Sequence, residues 1–224
     1  MEIIIANKSH SIYADIICET IDAAAKVRGT GIAKRKPEYI ITKLENGNAV
    51  IALDGDKFAG FCYIEAWSHG KFVANSGLIV HPDYRDQGLA KKIKQKIFEH
   101  SRAKFPDAKV FSITTGLAVM KMNSDLGYKP VTFSELTDDQ SFWKGCQTCK
   151  NYDILQRTEQ KMCLCTGMLY DPAKKVKESE KEIKPKVFQR LKHIKEGMFL
   201  KKEKKDQDKN WVEYSENHFH FECK

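Results

Sequence analysis

The residues best suited to chemistry lie in one run, Leu78-Ile79-Val80-His81-Pro82-Asp83-Tyr84-Arg85-Asp86-Gln87-Gly88-Leu89-Ala90, where an apolar strand gives way to a turn and then to a helix. Successive peptide N–H groups at such a turn, together with the positive end of the helix dipole, form a concave anion site. Arg85 to Ala90 is therefore read as the cradle of a diphosphate. Gly88 lets the chain approach the phosphates closely, and Ala90 is small enough to keep the helix start clear.

Upstream, Glu65 is a carboxylate inside the otherwise apolar strand Phe61-Cys62-Tyr63-Ile64-Glu65-Ala66-Trp67. A carboxylate in a site drier than water holds a proton more readily and is a candidate base. Strand alternation equally allows Glu65 to point into solvent. His69 and His81 are lesser candidates, since histidines in turns are usually surface residues. A further run, Arg28-Gly29-Thr30-Gly31-Ile32-Ala33-Lys34-Arg35, is both glycine-rich and cationic. Guanidinium groups grip carboxylates in two-pronged fashion, so Arg28, Lys34 and Arg35 suit an anionic ligand and disfavour a polycation. The same residues also fit an ordinary cation-decorated helix end.

The elements that must position these residues alternate along the chain. Residues 1–7 read as a strand, and Ser9 or Ser11 caps a helix to about Val27. Pro37 opens a second helix to about Glu45, stopped by Asn46-Gly47-Asn48. Ala49 to Leu53, a turn at Asp54-Gly55-Asp56 and Phe58 to Trp67 form an antiparallel hairpin, extended by a strand from Phe72 to Val80. Leu89, Ile93, Ile97 and Phe98 recur at helical spacing over 88–103. A strand at Val110–Ile113, a helix at Leu117–Leu126 ended by Gly127, and strands at Val131–Phe133 and Met162–Tyr170 complete an α/β (α+β) sandwich around a mixed sheet.

The run from Leu78 to Ala90 resembles the acyl-CoA-binding signature of the GNAT acyltransferase superfamily, and Asp125-Leu126-Gly127-Tyr128 resembles that family's last helix ending, at a suitable distance downstream. The order of elements matches too, covering about residues 1–170. The resemblance implies the GNAT fold, with a mixed, mostly antiparallel sheet flanked by helices, and an acyl-CoA-dependent N-acyltransferase. It implies that the strand at Leu78, Ile79 and Val80 splays from its neighbour, holds the pantetheine arm like an added strand and offers a donor to the thioester oxygen. Arg85, Asp86, Gln87, Gly88, Leu89 and Ala90 would hold the pyrophosphate. Many members protonate the departing thiolate with a tyrosine four residues before the glycine of the last helix. Here that residue is Asn123, which can bond CoA but is a poor acid, so the proton would come from Tyr128 or water, or be dispensable. The loop between the first two helices covers the acceptor in this fold. The segments 25–35, 142–146, 151–155 and 163–168 are similar to a bacterial GNAT subgroup of N-acylglutamate synthases in arginine biosynthesis. That resemblance implies acetyl-CoA or succinyl-CoA as donor and glutamate as acceptor, with Arg28 and Arg35 the carboxylate partners. An enzyme acylating protein or peptide amines and a non-catalytic zinc- or nucleic-acid-binding module are the competing readings.

Of the seven cysteines, Cys146 and Cys149 form one close pair and Cys163 and Cys165 another. An unpaired total without a secretory signal argues for a reducing compartment. Cys163 and Cys165, two apart on an expected strand, share a face and with Cys146 and Cys149 would complete an S₄ zinc site that pins the 138–160 insertion. Buried thiols filling the core, or a redox pair, are the alternatives.

The 224 residues allow one substantial domain with a small appendage. The formal charge of +8 is concentrated between 171 and 210, where fourteen Lys/Arg stand against eight acids. Such a mixed segment reads as a solvated face and argues against nucleic acid. The expected domain is 1–170, followed by a basic, partly helical extension, 171–224. Within it, Val187, Leu191, Ile194 and Met198 mark an amphipathic helix over 184–205 that would dock on the main domain or on a second subunit, giving a homodimer. Residues 211–223 suggest a final strand. No stretch of eighteen uncharged apolar residues occurs, so no membrane span is expected and the cytoplasm is the expected location.

Overall fold

β-Branched and aromatic residues at period two set the strands, and a computed structural model of the chain, describing residues 1–29 and 32–174, arranges seven of them in one sheet. They are β1 (Glu2–Ile5), β2 (Ala49–Asp54), β3 (Lys57–Trp67), β4 (Phe72–Val80), β5 (Lys109–Thr114), β6 (Lys129–Val131) and β7 (Thr166–Tyr170), in the order β1-β2-β3-β4-β5-β7-β6. Every neighbouring pair is antiparallel except β4 and β5. That parallel junction holds for three residue pairs, Phe72–Lys109, Val73–Val110 and Ala74–Phe111, and the strands then part. The fold is the expected mixed α/β GNAT fold.

Helices α1 (Ala14–Arg28) and α2 (Pro37–Glu45) cover one face, where Ile17, Ile21, Ile40 and Leu44 meet Ile51, Phe61 and Tyr63. Helix α3 (Leu89–Lys104) covers the other, where Leu89, Ile93 and Ile97 meet Val50, Ala52, Cys62, Ile64 and Val73. Alternation along β3 thus sends Phe61 and Tyr63 to one helical layer and Cys62 and Ile64 to the other. Each large side chain enclosed in this way contributes about 1.5–3 kcal/mol. Helix α4 (Leu117–Asp125) follows β5, and Gly127, at φ +90°, turns the chain into β6.

Four local expectations need correction. The cap at the N-terminus is Asn7, not Ser9 or Ser11; its side chain accepts from Ser9 N and opens a 3₁₀ turn, Lys8–Tyr13, ahead of α1. Strand β6 begins two residues earlier than expected and β7 four later, so Cys163 and Cys165 precede the strand instead of lying on it. The 138–160 insertion, expected to be pinned by zinc, folds around a core of its own. It contains α5 (Gln140–Lys144) and α6 (Tyr152–Arg157), and Phe142, Trp143 and Leu155 pack with Phe111, Phe133 and Leu169 in a core of their own. Trp143 Nε1 donates to Thr137 O at 2.9 Å, which satisfies the buried indole. The helix expected at 184–205 and the strand at 211–223 lie outside the described residues, as do Thr30 and Gly31. No described helix is long and apolar enough to cross a membrane.

Candidate active site

The parting of β4 and β5 opens a cavity of about 530 Å³ whose lips are Asn75 to Ile79 on one strand and Ser112 to Thr114 on the other. Leu78 lines it, and Ile79 and Val80 still pair with Phe61 and Gly60 of β3, so beyond Ala74 β4 has no β5 partner. The β3–β4 register slips between Phe61–Ile79 and Tyr63–Ser76, which leaves Gly77 and Leu78 opposite Cys62 as a bulge. Gly77 sits at φ +65°, and a Cβ there would lie 2.5 Å from Tyr63 Cε1. Only glycine fits this bend, a requirement invisible in the run of residue types.

The turn after β4 leads out of the cavity to α3. Arg85, Asp86, Gln87 and Gly88 are exposed, and Asp86 (φ +60°) and Gly88 (φ +73°) both take left-handed backbone. No side chain caps α3, and a Cβ on Gly88 would meet nothing within 4 Å. Gln87 Nε2 reaches Asp83 O and Arg85 Nε reaches Val80 O, ties that fix the turn from behind. The turn opening this sixteen-residue helix is thus exposed and carries no side-chain cap, which suits an anion site on its amides. Leu89 turns its side chain into the core and Ala90 is half-buried, so both would offer backbone.

On the other side of the cavity stand the residues expected to meet an acceptor. Arg28 ends α1, where Gly29 closes the helix at φ +75°, and Arg28, Lys34 and Arg35 all line the cavity. Lys34 N donates to Thr148 Oγ1 at 3.1 Å, which ties this loop to the insertion. Arg35 Nε donates to Tyr63 Oη at 2.8 Å. Burial works against the Arg35 charge, but Tyr63, Tyr39 and Glu65 outweigh it and hold the guanidinium above its ordinary value. Glu65 is half-buried beneath α2, on the same face as Phe61 and Tyr63, and lines the cavity. Its Oε2 accepts from Tyr39 Oη at 2.6 Å and its Oε1 from Lys43 Nζ. Burial, and then Tyr63 and Glu65, push the Tyr39 hydroxyl well above its ordinary value and keep it a donor.

Sequence reasoning missed three parts of this wall. The insertion contributes Phe142, Lys144, Cys146 and Thr148, because its aromatic core folds it over the cavity. Trp67 also lines the cavity and keeps a buried Nε1–H without an acceptor. Lys94 of α3 is 2% exposed and reaches the cavity from the far side of the sheet.

Asn123 and Tyr128 do not line the cavity. Asn123 is fully enclosed and its Nδ2 donates to Ser112 Oγ at 2.8 Å, which braces a lip of the cavity. Tyr128, 1% exposed, donates to Asn75 Oδ1 at 2.9 Å and packs against Phe98 and Tyr170. Burial, then Cys62 and Tyr170, raise its hydroxyl well above the ordinary value, which leaves it a poor source of protons. His69 is exposed in a turn, and His81 packs beside Phe58 and Tyr84, away from the cavity.

The expected zinc site is not formed: among the described residues no three His, Cys, Asp or Glu are placed to hold a metal ion. Burial, then Cys149 and Cys163, raise the Cys146 thiol to about 11, and burial, then Cys163, Cys149 and Cys146, raise Cys165 to about 12. Cys146, Cys163 and Cys165 pack against the aromatic core of the insertion, and Cys149 lines the cavity.

Comparison with known proteins supports the fold. No protein of curated function matches the sequence. Among solved structures, N-acetylglutamate synthase of Neisseria gonorrhoeae, complexed with coenzyme A and N-acetyl-glutamate, superposes with a TM-score of 0.55 at 14% identity over 76% of this chain. The chain spans only 34% of the length of that protein. Rv2747 of Mycobacterium tuberculosis, in complex with CoA, gives a TM-score of 0.53 at 14% identity, covering 76% of this chain and 99% of the other. The protein yncA of Salmonella typhimurium, with acetyl-CoA, gives 0.52 at 13% identity over 77% and 94%. At these identities the likeness is one of fold. Residues 24–118 match the acetyltransferase (GNAT) family itself. That stretch, less than half of the chain, runs from the later part of α1 to the start of α4 and takes in the loop after α1, the bulged strand and the turn before α3; over it the chain is similar to that family.

Proposed function

We propose that the chain moves an acetyl group from acetyl-CoA to the amine of a small anionic acceptor, with glutamate the first candidate and arginine biosynthesis the corresponding role. The carrying observation is charge. Six cations, Arg28, Lys34, Arg35, Lys36, Lys94 and Lys144, line the cavity against one carboxylate, Glu65, among the described residues. A cationic acceptor would enter against that field, whereas a dicarboxylate finds paired partners in Arg28 and Arg35. The unsatisfied Trp67 Nε1–H is a further donor for a carboxylate or carbonyl oxygen. The likeness to a synthase solved with N-acetyl-glutamate supports the same choice.

In this reading the amides from Gln87 to Ala90 take the pyrophosphate, and Leu78, Ile79 and Val80 hold the pantetheine arm along the free edge of β4. Backbone N–H at the Gly77–Leu78 bulge steadies the thioester oxygen as charge builds on it. Glu65 accepts the proton shed by the attacking amine, and no covalent enzyme intermediate is required. A thiol-release assay crossing acetyl-CoA and succinyl-CoA with a panel of amino acids tests donor and acceptor together. Release with glutamate and acetyl-CoA is expected. Turnover confined to succinyl-CoA would change the donor, and turnover confined to lysine peptides would overturn the small-acceptor reading.

A further inference from the structure

Lys94 is a buried cation that the reading above uses only for its charge. It lies on the apolar stripe of α3, four residues after Ala90 and three before Ile97, with its ammonium drawn inward beneath the sheet. Its Nζ donates to Asn75 Oδ1 at 3.2 Å and stands 5.0 Å from the centre of the Tyr128 ring. Asn75 is held in turn, since its Nδ2 donates to Ser101 Oγ at 2.8 Å and its Oδ1 also takes the Tyr128 hydroxyl. The titratable groups facing Lys94 are Cys62 from β3 and Tyr128 after α4, while Lys91 and Asp125 pair at the rim of the gap between α3 and α4. No carboxylate bonds Lys94 among the described residues, and an ammonium so enclosed is costly without an anion.

Two cavities meet at this side chain. Lys94 lines the main cavity together with Ser76 to Leu78 and Ser112, and it also lines a smaller cleft of about 330 Å³ between α3 and α4. A thioester whose oxygen sits at the Gly77–Leu78 bulge, and whose arm runs along β4 toward Arg85, carries its sulfur past this junction. Asn123 supplies no acidic proton, and the Tyr128 hydroxyl is committed to Asn75. We infer that Lys94 Nζ protonates the departing CoA sulfur, an assignment that rests on the acyl-transfer reading.

The acceptor nitrogen forms a bond to the acyl carbon, the C–S bond breaks, and its electron pair leaves on sulfur. A Lys94 N–H gives that sulfur its proton, producing free thiol and a neutral amine. The proton lost by the acceptor nitrogen passes to Glu65, and Lys94 regains a proton from water. Burial lowers the Lys94 ammonium from 10.5 to about 8, close to the ordinary range of a thiol, so donor and acceptor are matched for transfer.

The test reads CoA itself as well as turnover. Bound CoA is titrated by its ultraviolet thiolate absorbance on wild-type protein and on Lys94→Met, which keeps most of the length of the side chain and removes the charge. The thiol on wild-type protein is expected to ionise at lower pH than free CoA, and in the variant to lose that advantage by about tenfold or more in thiolate fraction. Identical titrations overturn the inference. In turnover, Lys94→Met should cost about 10²-fold or more with acetyl-CoA. With 4-nitrophenyl acetate, whose leaving group departs without a proton, the loss should be small. Equal losses with both donors, or an acetyl-CoA loss seen with Ser112→Ala and absent with Lys94→Met, overturn it. Failure of the acyl-transfer reading would show separately, as wild-type protein that releases no thiol with any amine, and would take the inference with it.

Discussion

The Tyr39 hydroxyl donates to Glu65 Oε2 at 2.6 Å while Lys43 engages Oε1, so the carboxylate at the cavity wall is fixed in direction by two side chains of α2. If Glu65 is the base, Glu65→Gln lowers kcat about 10²-fold with the KM for acetyl-CoA unchanged. Tyr39→Phe removes one hydrogen bond and costs no more than about tenfold. Steady-state kinetics on the two variants decides the point, and an unchanged rate in Glu65→Gln removes that residue from the chemistry.

Gly77 and Gly29 make a controlled pair. Both have positive φ, but a Cβ at Gly77 meets the Tyr63 ring at 2.5 Å, whereas one at Gly29 meets nothing within 4 Å. Gly29→Ala should cost about 1 kcal/mol for the backbone alone. Gly77→Ala should cost about 2–4 kcal/mol, since strain and overpacking add. It should also raise the acceptor KM, because Tyr63 holds Arg35. Urea unfolding checks the first two, and kinetics the third.

Lys94 makes stability depend on pH with a definite sign. Its ammonium titrates at about 8 in the folded protein and at 10.5 ordinarily, so between those values the unfolded chain binds more protons and stability rises with pH. Below pH 8 the buried charge costs up to about 3 kcal/mol, taking 1.36 kcal/mol per decade. Lys94→Met should therefore be more stable than wild type at pH 7, with the gain shrinking through pH 8 to 10 and gone above 10.5. Chemical denaturation across that range checks it; a pH-independent difference would contradict the assignment of a buried ammonium.

Arg28 is exposed at the rim of the cavity, so its removal should act on binding alone. Arg28→Ala should raise the KM of an anionic acceptor by about tenfold or more while leaving the acetyl-CoA KM in place. Lys144→Glu, on the part of the wall that the insertion supplies, should act in the same direction. A matching rise in the acetyl-CoA KM would place these residues on the donor side instead.

The thiols supply a prediction about metal and reactivity. With Cys146 raised to about 11 and Cys165 to about 12, both are protonated at pH 7.5. Alkylation by iodoacetamide, followed by mass spectrometry, should be slow there and accelerate as pH approaches 11. Dialysis against a chelator should leave Tm unmoved.

Much of this was legible in residue types. The hairpin from Ala49 to Trp67, the strand to Val80, both ends of α2 and the glycine turn before α3 follow from period-two patterning, Pro37 and Gly88, all of which are local signals. The parts that were not legible depend on distant partners. Whether Glu65 faced water or protein was settled by α2 lying over it. The bulge at Gly77 exists because Tyr63 fills the space across the sheet. Tyr128 looked available because it follows a helix end, but Asn75 and the Phe98–Tyr170 pair enclose it. Lys94 did carry a signal, for a lysine at a stripe position between Ala90 and Ile97 breaks the amphipathic pattern. It passed as one more cation in the run Lys91-Lys92-Ile93-Lys94-Gln95-Lys96.

The folding of α5 and the segment to Cys149 over the cavity has a consequence for how this protein can change. On the proposed reading, donor recognition is encoded between Leu78 and Ala90, in the strand and turn within the family match, while one flank of the acceptor chamber is encoded some sixty residues later by a stretch with its own aromatic anchor. On that reading, substitutions at Lys144 or Thr148 would retune which amine is admitted and leave the grip on the nucleotide end of the donor intact, so that the two halves of the site can vary independently.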